Sequence, residues 1–274
     1  MGVDPEWEWE PGLVEFRGHL ERRFLDALLD DHPPERVAPH DVEARLHQIV
    51  AAEGGPSLSH HLSERGTLGE LRELAIHRSA YQLKEADPHT WAIPRLSGEP
   101  KAAMVEIQSD EYGCGRRERM HSELFATTMA TLDLDPTYGA YLDLLPGVTL
   151  ATVNLVSLFG LHRRWRGALV GHLAVFEMSS VTPMSRYATS FDRLGLSPKG
   201  REFYDVHVVA DALHEKIAAT RLAGAFARDE PSLAGDVIFG ATALVAAEQR
   251  FTNHLLDAWS AGRPSLLAPC RAAA

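Results

Sequence analysis

Residues 203–218 read FYDVHVVADALHEKIA, and this stretch decides both the fold and the candidate site. At about 100° per residue, His207, Asp211 and His214 fall on one face of a helix. The same face carries apolar side chains, so it is expected to point toward the core. Burying polar groups without partners is costly, and a bound metal would supply those partners. Two other interpretations stay open: core histidines hydrogen-bonded to Asp211, or an end of the stripe that faces solvent.

Two further stretches place acidic groups among apolar residues. Glu177 follows Leu169 and Leu173 at spacings of four, so it either reaches water at a helix end or binds a cation. Glu118 and His121 have the i, i+3 spacing by which carboxylate-bridged di-iron bundles present two ligands from one helix face. The spacing alone is common, so Glu118 is a candidate only.

A glycine-flanked segment separates Glu111 from His121. On a straight helix the two residues would be about 15 Å apart along the axis. Gly113 and Gly115 permit a kink or an unwound turn that would bring Glu111 beside His121. Glu85, at the end of a predicted helix, passes as a surface residue when taken alone.

Helical periodicity dominates the chain, and no strand pair or hairpin signal is found, so the predicted class is all-α. The predicted helices cover residues 12–30, 39–52, 67–86, 101–131 (with a possible interruption), 137–145, 148–161, 164–180, 184–194, 200–228 and 231–261. Thr67 and Glu70 have the pattern of a capping box. Asp135-Pro136 has the pattern of an N-cap followed by proline at the first helical position.

Composition excludes several classes of function. The 274 residues have the apolar and charged fractions of a globular protein, and a formal net charge of −11 argues against a nucleic-acid partner. Residues 144–161 are too short and too polar to span a bilayer, and residues 1–10 lack a signal-peptide pattern, so we expect no membrane partner and a cytoplasmic location. Nucleotide-loop, GxSxG, HExxH, CxxC and EF-hand motifs are absent. Carboxylates mixed with imidazoles favour iron or manganese over a thiolate-bound metal.

The residues quoted above resemble the ligand set of the heme-oxygenase-like di-iron oxidases and oxygenases, a group often labelled iron-containing redox enzymes. The resemblance covers roughly residues 68–262 and depends on EADPHTWAIPRL (85–96), EIQSDEYG (106–113), Glu177 and the segment 207–214. It implies seven iron ligands: Glu85, Glu111, His121, Glu177, His207, Asp211 and His214. The resemblance implies that Glu111, and not Glu118, is the ligand. We expect Glu118 to lie next to the ligands without binding the metal itself.

The resemblance also implies a fold. Family members are heme-oxygenase-like bundles of about seven core helices that bind no heme and are often dimeric. We therefore expect a di-iron domain over residues 66–262, an N-terminal helical arm or subdomain over residues 1–65, and a disordered tail over residues 263–274. A homodimer is a further expectation.

The implied activity is that of a non-heme di-iron enzyme with two Fe(II)/Fe(III) ions and O2 as co-substrate. Four carboxylate ligands favour N-oxygenation of a small amine or an amino-acid-derived substrate in natural-product biosynthesis, with an external electron donor. Oxidative desaturation and C–C bond cleavage or decarboxylation by the same cofactor are the nearest alternatives. His207 and His214 are about 10 Å apart along a helix axis, so we expect them to serve different irons, with Asp211 near the bridge.

Two other classes of function remain. One is a thiaminase-like hydrolase with a cysteine nucleophile, for which the sequence offers Cys114 and Cys270. The other is a metal-free helical binding protein whose buried acids pair with arginines such as Arg116, Arg119 or Arg186.

Overall fold

The computed structural model describes residues 4–52 and 54–268, and these residues form helices and turns without a strand, which confirms the all-α class. After a 3-10 turn (Pro5–Trp9) come α1 (Pro11–Asp31), α2 (Val42–Ala51) and α3 (Leu58–Glu64). Helix α3 was not predicted. It begins where the Ser57 side chain accepts a hydrogen bond from the His60 amide.

The next four helices lead to the first half of the candidate site. They are α4 (Leu68–Gln82), α5 (Asp87–Thr90), α6 (Gly98–Glu111) and α7 (His121–Thr131). The predicted capping box opens α4, because Thr67 Oγ1 accepts from the Glu70 amide at 3.2 Å and Glu70 Oε2 accepts from the Thr67 amide at 2.6 Å. The predicted interruption within residues 101–131 is confirmed between α6 and α7.

The remaining helices form the centre of the bundle. They are α8 (Gly147–Leu161), α9 (Arg166–Ser179), α10 (Val181–Arg193), α11 (Pro198–Lys216), α12 (Ala225–Asp229) and α13 (Ala234–Ser260), with a π-helical segment (Ile217–Gly224) between α11 and α12. Helices α9 and α13 pack closely because Gly171 meets the Val237 backbone and Gly240 meets the Ala168 backbone, where a Cβ would not fit. Within the described residues, no helix is both long and apolar enough to cross a membrane.

The predicted helix over residues 137–145 is wrong. Gly139, within this range, has a positive φ angle of 81°, which a right-handed helix does not accommodate. The Asp135 side chain accepts a hydrogen bond from the Thr137 amide at 2.8 Å, so Asp135-Pro136 begins a turn instead of capping a helix. Only a 3-10 turn (Leu142–Leu144) forms before α8.

The N-terminal helices contribute to the apolar core. Val42 and Leu46 of α2 are fully buried in the cluster that includes α9 and α13, and Leu58 and Leu62 of α3 belong to a second cluster. A separate unit over residues 1–65 stays a prediction. The predicted disordered tail lies partly outside the described residues, and within it Ser265 is buried and donates a hydrogen bond from its hydroxyl to Glu73 Oε2.

Candidate metal centre

Five parts of the chain bring acidic and imidazole side chains to one place inside the bundle. Glu85 lies in the turn after α4, Glu111 ends α6, and His121 begins α7. Glu177 lies near the end of α9, and α11 provides three side chains at one face. All seven predicted ligands are buried: Glu85, Glu111, His121, Glu177, His207, Asp211 and His214.

The seven side chains form two groups that share one carboxylate. The first group is Glu85, Glu111, His121 and His207, and the second is Glu111, Glu177, Asp211 and His214; in each, the candidate ligand atoms lie within 4.8 Å of one another. His207 and His214 fall in different groups, as their separation on α11 predicts. The shared residue is Glu111, whereas the sequence had placed Asp211 near the bridge.

Short distances define the first group. Glu111 Oε2 is 2.8 Å from His121 Nδ1, and His121 Nδ1 is 3.1 Å from His207 Nε2. His207 Nε2 is 3.6 Å from Glu85 Oε2. In the second group, His214 Nδ1 is 3.3 Å from Glu177 Oε2, 3.7 Å from Asp211 Oδ1 and 4.0 Å from Glu111 Oε1.

The break between α6 and α7 explains why Glu111 belongs to the site and Glu118 does not. Gly113, Cys114 and Gly115 have φ angles of 62°, 51° and 77°, which end α6 and reverse the chain. His121 therefore begins a new helix beside Glu111. Glu118 lies in a 3-10 turn (Arg117–Arg119) and is exposed, so its predicted place behind the ligands is wrong.

In two of the histidines, a hydrogen bond to one ring nitrogen determines which nitrogen faces the candidate metal centre. His207 Nδ1 lies 2.7 Å from the Phe203 carbonyl, which can only accept, so Nδ1 carries the proton and Nε2 faces the first group. His214 Nε2 lies 3.1 Å from Asp110 Oδ2, which leaves Nδ1 toward the second group. The Ser180 hydroxyl donates to Asp211 Oδ2 at 2.5 Å and orients that carboxylate. Such partners behind the ligands are typical of metal sites.

Several polar atoms at the centre are buried without a hydrogen-bond partner. They are both carboxylate oxygens of Glu85, Asp211 Oδ1, His214 Nδ1 and Gln108 Oε1. Within the described residues no arginine or lysine pairs with the four carboxylates, and Arg116 and Arg119 are exposed, while Arg186 bonds to Ser57. The arginine-paired interpretation of these acids is therefore wrong, and the orphaned atoms fit a cation between them.

Burial and mutual repulsion dominate the electrostatics. Burial, together with Glu111, Asp211 and Glu177, raises the pKa of Glu85 well above its usual value. Burial and the Glu177 charge raise the pKa of Asp211 to about 7. Burial lowers the pKa of His214, but the carboxylates of Glu177, Asp110 and Glu111 outweigh this effect and raise the pKa to about 9. Carboxylates crowded in this way favour either protons or metal ions.

A small cavity adjoins the centre, with a volume of about 10 Å³. Its wall includes Tyr81, His89, Gln108 and Phe176 beside the candidate ligands. Gln108 Nε2 donates to the Ala86 carbonyl at 2.8 Å, which fixes the amide so that Oε1 is left without a partner. His89 Nε2 lies 3.0 Å from His172 Nδ1 behind this wall.

The sequence did not single out Gln108 or His89 as functional. Gln108 lies three residues before Glu111 on α6, so its i, i+3 spacing from the Glu111 that the resemblance implied was the available signal. His172, which hydrogen-bonds to His89, is buried as well. Cys114 is exposed, and its thiol donates a hydrogen bond to Asp110 Oδ1 at 3.3 Å. Within the described residues no histidine hydrogen-bonds to Cys114, and Cys270 lies outside the described residues.

An all-α bundle with a buried carboxylate–histidine centre defines a class of helical metalloproteins. Residues 72–249 match the model of a family described as iron-containing redox enzyme. The chain belongs to this family, which indicates an iron-dependent oxidoreductase. No curated protein sequence matches the chain significantly.

Proposed function

We propose that the chain is a non-heme di-iron oxygenase or oxidase that uses O2 on a small amine or amino-acid-derived substrate. The observation that carries the proposal is the pair of four-residue groups joined by Glu111. One group offers two carboxylates and two imidazoles, and the other offers three carboxylates and one imidazole. Each is a reasonable donor set for a single ferrous ion.

Charge balance supports two ions more than one. Four carboxylates converge, and two divalent cations would neutralise them, whereas one would leave a net negative charge in a buried site. Orphaned ligand atoms occur in both groups, with Glu85 in the first and Asp211 and His214 in the second. A single cation in either group would leave the other group unsatisfied.

The protein's own residues hold and orient the proposed centre. His207 and His214 present defined nitrogens because the Phe203 carbonyl and Asp110 hold the opposite ring atoms. When bound, two iron ions would supply the electrons that reduce O2 and thereby the oxidant for the substrate. The buried surroundings exclude water from this chemistry.

The small volume of the cavity limits the size of the substrate group that can reach the proposed centre. Its volume of about 10 Å³ accommodates roughly a water-sized group, so a substrate must project a small reacting group into it. The unpartnered Gln108 Oε1 accepts hydrogen bonds only, which suits an N–H donor. This favours N-oxygenation of an amine, with an external electron donor. Desaturation and C–C cleavage by the same centre are the second candidates, because they use the same ligands.

Anaerobic Fe(II) titration followed by metal analysis tests the proposal. We expect about two irons per chain for the wild type and for Glu118→Gln, whose exposed side chain makes a matched control. Glu111→Gln removes the shared carboxylate and is expected to lower the iron content of both sites. Exposure of the loaded protein to O2 should give a transient visible absorbance that Asp211→Ala and His214→Ala abolish.

Two results would overturn the proposal. One is tight binding of a single iron per chain that Glu111→Gln leaves unchanged. The other is retention of two irons and normal O2 reactivity in both Asp211→Ala and His214→Ala, which would place the centre elsewhere.

A further inference from the structure

A second, larger pocket lies beside the small cavity at the candidate centre. Residues 84–91, Tyr112 and the last turns of α8 form its wall, and we call it the outer pocket. Its volume is about 510 Å³, which is within the range of pockets that hold a small ligand. Lys84 and Tyr112 in this wall are the chain neighbours of the candidate ligands Glu85 and Glu111. The outer pocket is therefore close to the first group of candidate ligands.

A hydrogen-bonded wall separates the outer pocket from the small cavity. Thr90 lines the outer pocket, Gln108 lines the cavity, and Gln108 Nε2 donates to Thr90 Oγ1 at 2.6 Å. Ala86 lines the cavity, and the next residue, Asp87, lines the outer pocket. Because the cavity accommodates only a water-sized group, the rest of a larger substrate has the outer pocket as its adjoining space.

The outer pocket offers one positive and one negative side chain, Lys84 and Asp87. Lys84 is half-buried, its Nζ lies 5.4 Å from the centre of the Tyr138 ring, and it forms no ion pair within the described residues. Asp87 Oδ1 accepts from the Tyr112 hydroxyl at 2.7 Å, which leaves Oδ2 without a hydrogen-bond partner in the described chain. The Asp87 amide donates to the Lys84 carbonyl at 3.1 Å, so one turn carries both charges. A cation and a carboxylate in one pocket suit a zwitterion.

A chain of hydrogen bonds limits the distance from Asp87 to the small cavity. The Tyr112 hydroxyl, which donates to Asp87 Oδ1 at 2.7 Å, lies 2.9 Å from Thr90 Oγ1. Gln108 Nε2 donates to the same Thr90 oxygen at 2.6 Å, so Asp87 Oδ1 and Gln108 Nε2 are at most about 8 Å apart. An ornithine or lysine molecule whose α-ammonium binds Asp87 is long enough to bring its side-chain nitrogen to the cavity.

We propose that the outer pocket binds the α-ammonium and the α-carboxylate of a diamino acid, and that its side-chain amine enters the small cavity. Asp87 Oδ2 accepts from the α-ammonium, and Lys84 Nζ donates to the α-carboxylate. The side-chain amine passes the wall where Gln108 meets Thr90, and the unpartnered Gln108 Oε1 accepts a hydrogen bond from it. The inference rests on the proposed function, since it names the substrate of that centre and assigns the reacting nitrogen to the side chain.

Isothermal titration calorimetry with L-ornithine and L-lysine tests the proposed headgroup site. We expect the wild type to bind at least one of them. It should bind 6-aminohexanoate, which lacks the α-ammonium, and cadaverine, which lacks the carboxylate, at least about tenfold more weakly. Lys84→Met and Asp87→Asn should each weaken amino-acid binding at least about tenfold. Lys101→Met is the matched control, because Lys101 is also half-buried without an ion pair in the described chain but lines a different pocket.

Titrations of metal-free protein and of protein loaded anaerobically with Fe(II) separate this inference from the proposed function. Iron binding without amino-acid binding would overturn the inference alone, whereas amino-acid binding without iron binding would overturn the proposed function and leave the headgroup site standing. In the loaded protein, Fe(II) should broaden the NMR signal of the methylene next to the side-chain amine more than that of the α-proton. Stronger broadening of the α-proton, equal affinity for cadaverine, or binding that neither Lys84→Met nor Asp87→Asn weakens would overturn the inference.

Discussion

Glu111 Oε2 lies 2.8 Å from His121 Nδ1, although ten residues separate the two in the chain. A continuous helix would hold them about 15 Å apart. The chain reversal between α6 and α7 brings the two side chains together, and Gly113 lies where the two arms of this reversal are closest. A Cβ at Gly113 would be 2.6 Å from the Arg119 carbonyl carbon and 2.7 Å from the Met120 nitrogen. The position of the shared carboxylate therefore depends on a glycine.

Gly113→Ala should move α7 away from Glu111. Its φ of 62° and the backbone contact together should cost about 2–5 kcal/mol of unfolding free energy. We expect urea denaturation to show this loss and Fe(II) titration to show weaker binding. Gly115→Ala is the control: Gly115 also has positive φ, but no atom lies within 4 Å of a Cβ there, so a loss of about 1 kcal/mol is expected. Equal effects of the two substitutions would contradict this role of Gly113.

Asp110→Asn should weaken iron binding in the second group more than in the first. Asp110 accepts from His214 Nε2, and an amide in its place would hold the ring less firmly. Loss of such a partner typically weakens metal affinity about 10- to 100-fold. Glu106→Gln, on the same helix and paired with Arg221, is the matched control. Competition with a chelator measures both affinities, and an unchanged affinity in Asp110→Asn would contradict the prediction.

The periodic parts of the fold and site could be predicted from sequence. His207, Asp211 and His214 lie on the buried face of α11 because helical spacing determines a face before any tertiary contact forms. The interruption after Glu111 was also predictable, since Gly113 and Gly115 favour backbone conformations that end a helix. These features depend on local geometry alone.

Features that depend on packing between distant segments could not be predicted in this way. Glu85 has no periodic signal, because its burial depends on α6, α9 and α11 closing over the turn after α4. Glu118 and His121 have the i, i+3 spacing, but residues 117–119 form a 3-10 turn and α7 begins only at His121. The two residues therefore do not share an α-helical face. Residues 137–145 were predicted as a helix, but Gly139 has a positive φ angle and the Asp135 side chain begins a turn just before them.

The buried His77 should make stability pH-dependent. Burial lowers its pKa from 6.5 to about 3, while its ring nitrogens bond to Thr149 and Ser265. The unfolded chain takes up a proton below about pH 6.5 and the folded chain does not, so this stabilisation is present above pH 6.5 and is lost as the pH falls toward 3. Between pH 7 and pH 5 the loss should be about 2 kcal/mol.

Urea denaturation at several pH values measures this effect as a difference between variants. His77→Gln should be less stable at pH 7 and should lose less stability than the wild type between pH 7 and pH 5. His60→Gln, at an exposed position, should keep the wild-type pH dependence. A wild-type slope in His77→Gln would show that other groups are responsible.

Iron binding should rigidify α11 more than any other helix. Three candidate ligands lie on α11, and its last turn passes into the π-helical segment Ile217–Gly224, an irregularity that is common at functional sites. Without metal, the crowded carboxylates repel one another, so we expect opening there and iron content below two per chain in protein purified without added iron. Hydrogen exchange with mass spectrometry should show peptides from 205–224 gaining protection on Fe(II) loading, with much smaller changes in α13, which carries no candidate ligand. A uniform gain across both regions would mean that iron stabilises the fold as a whole and does not close α11 locally.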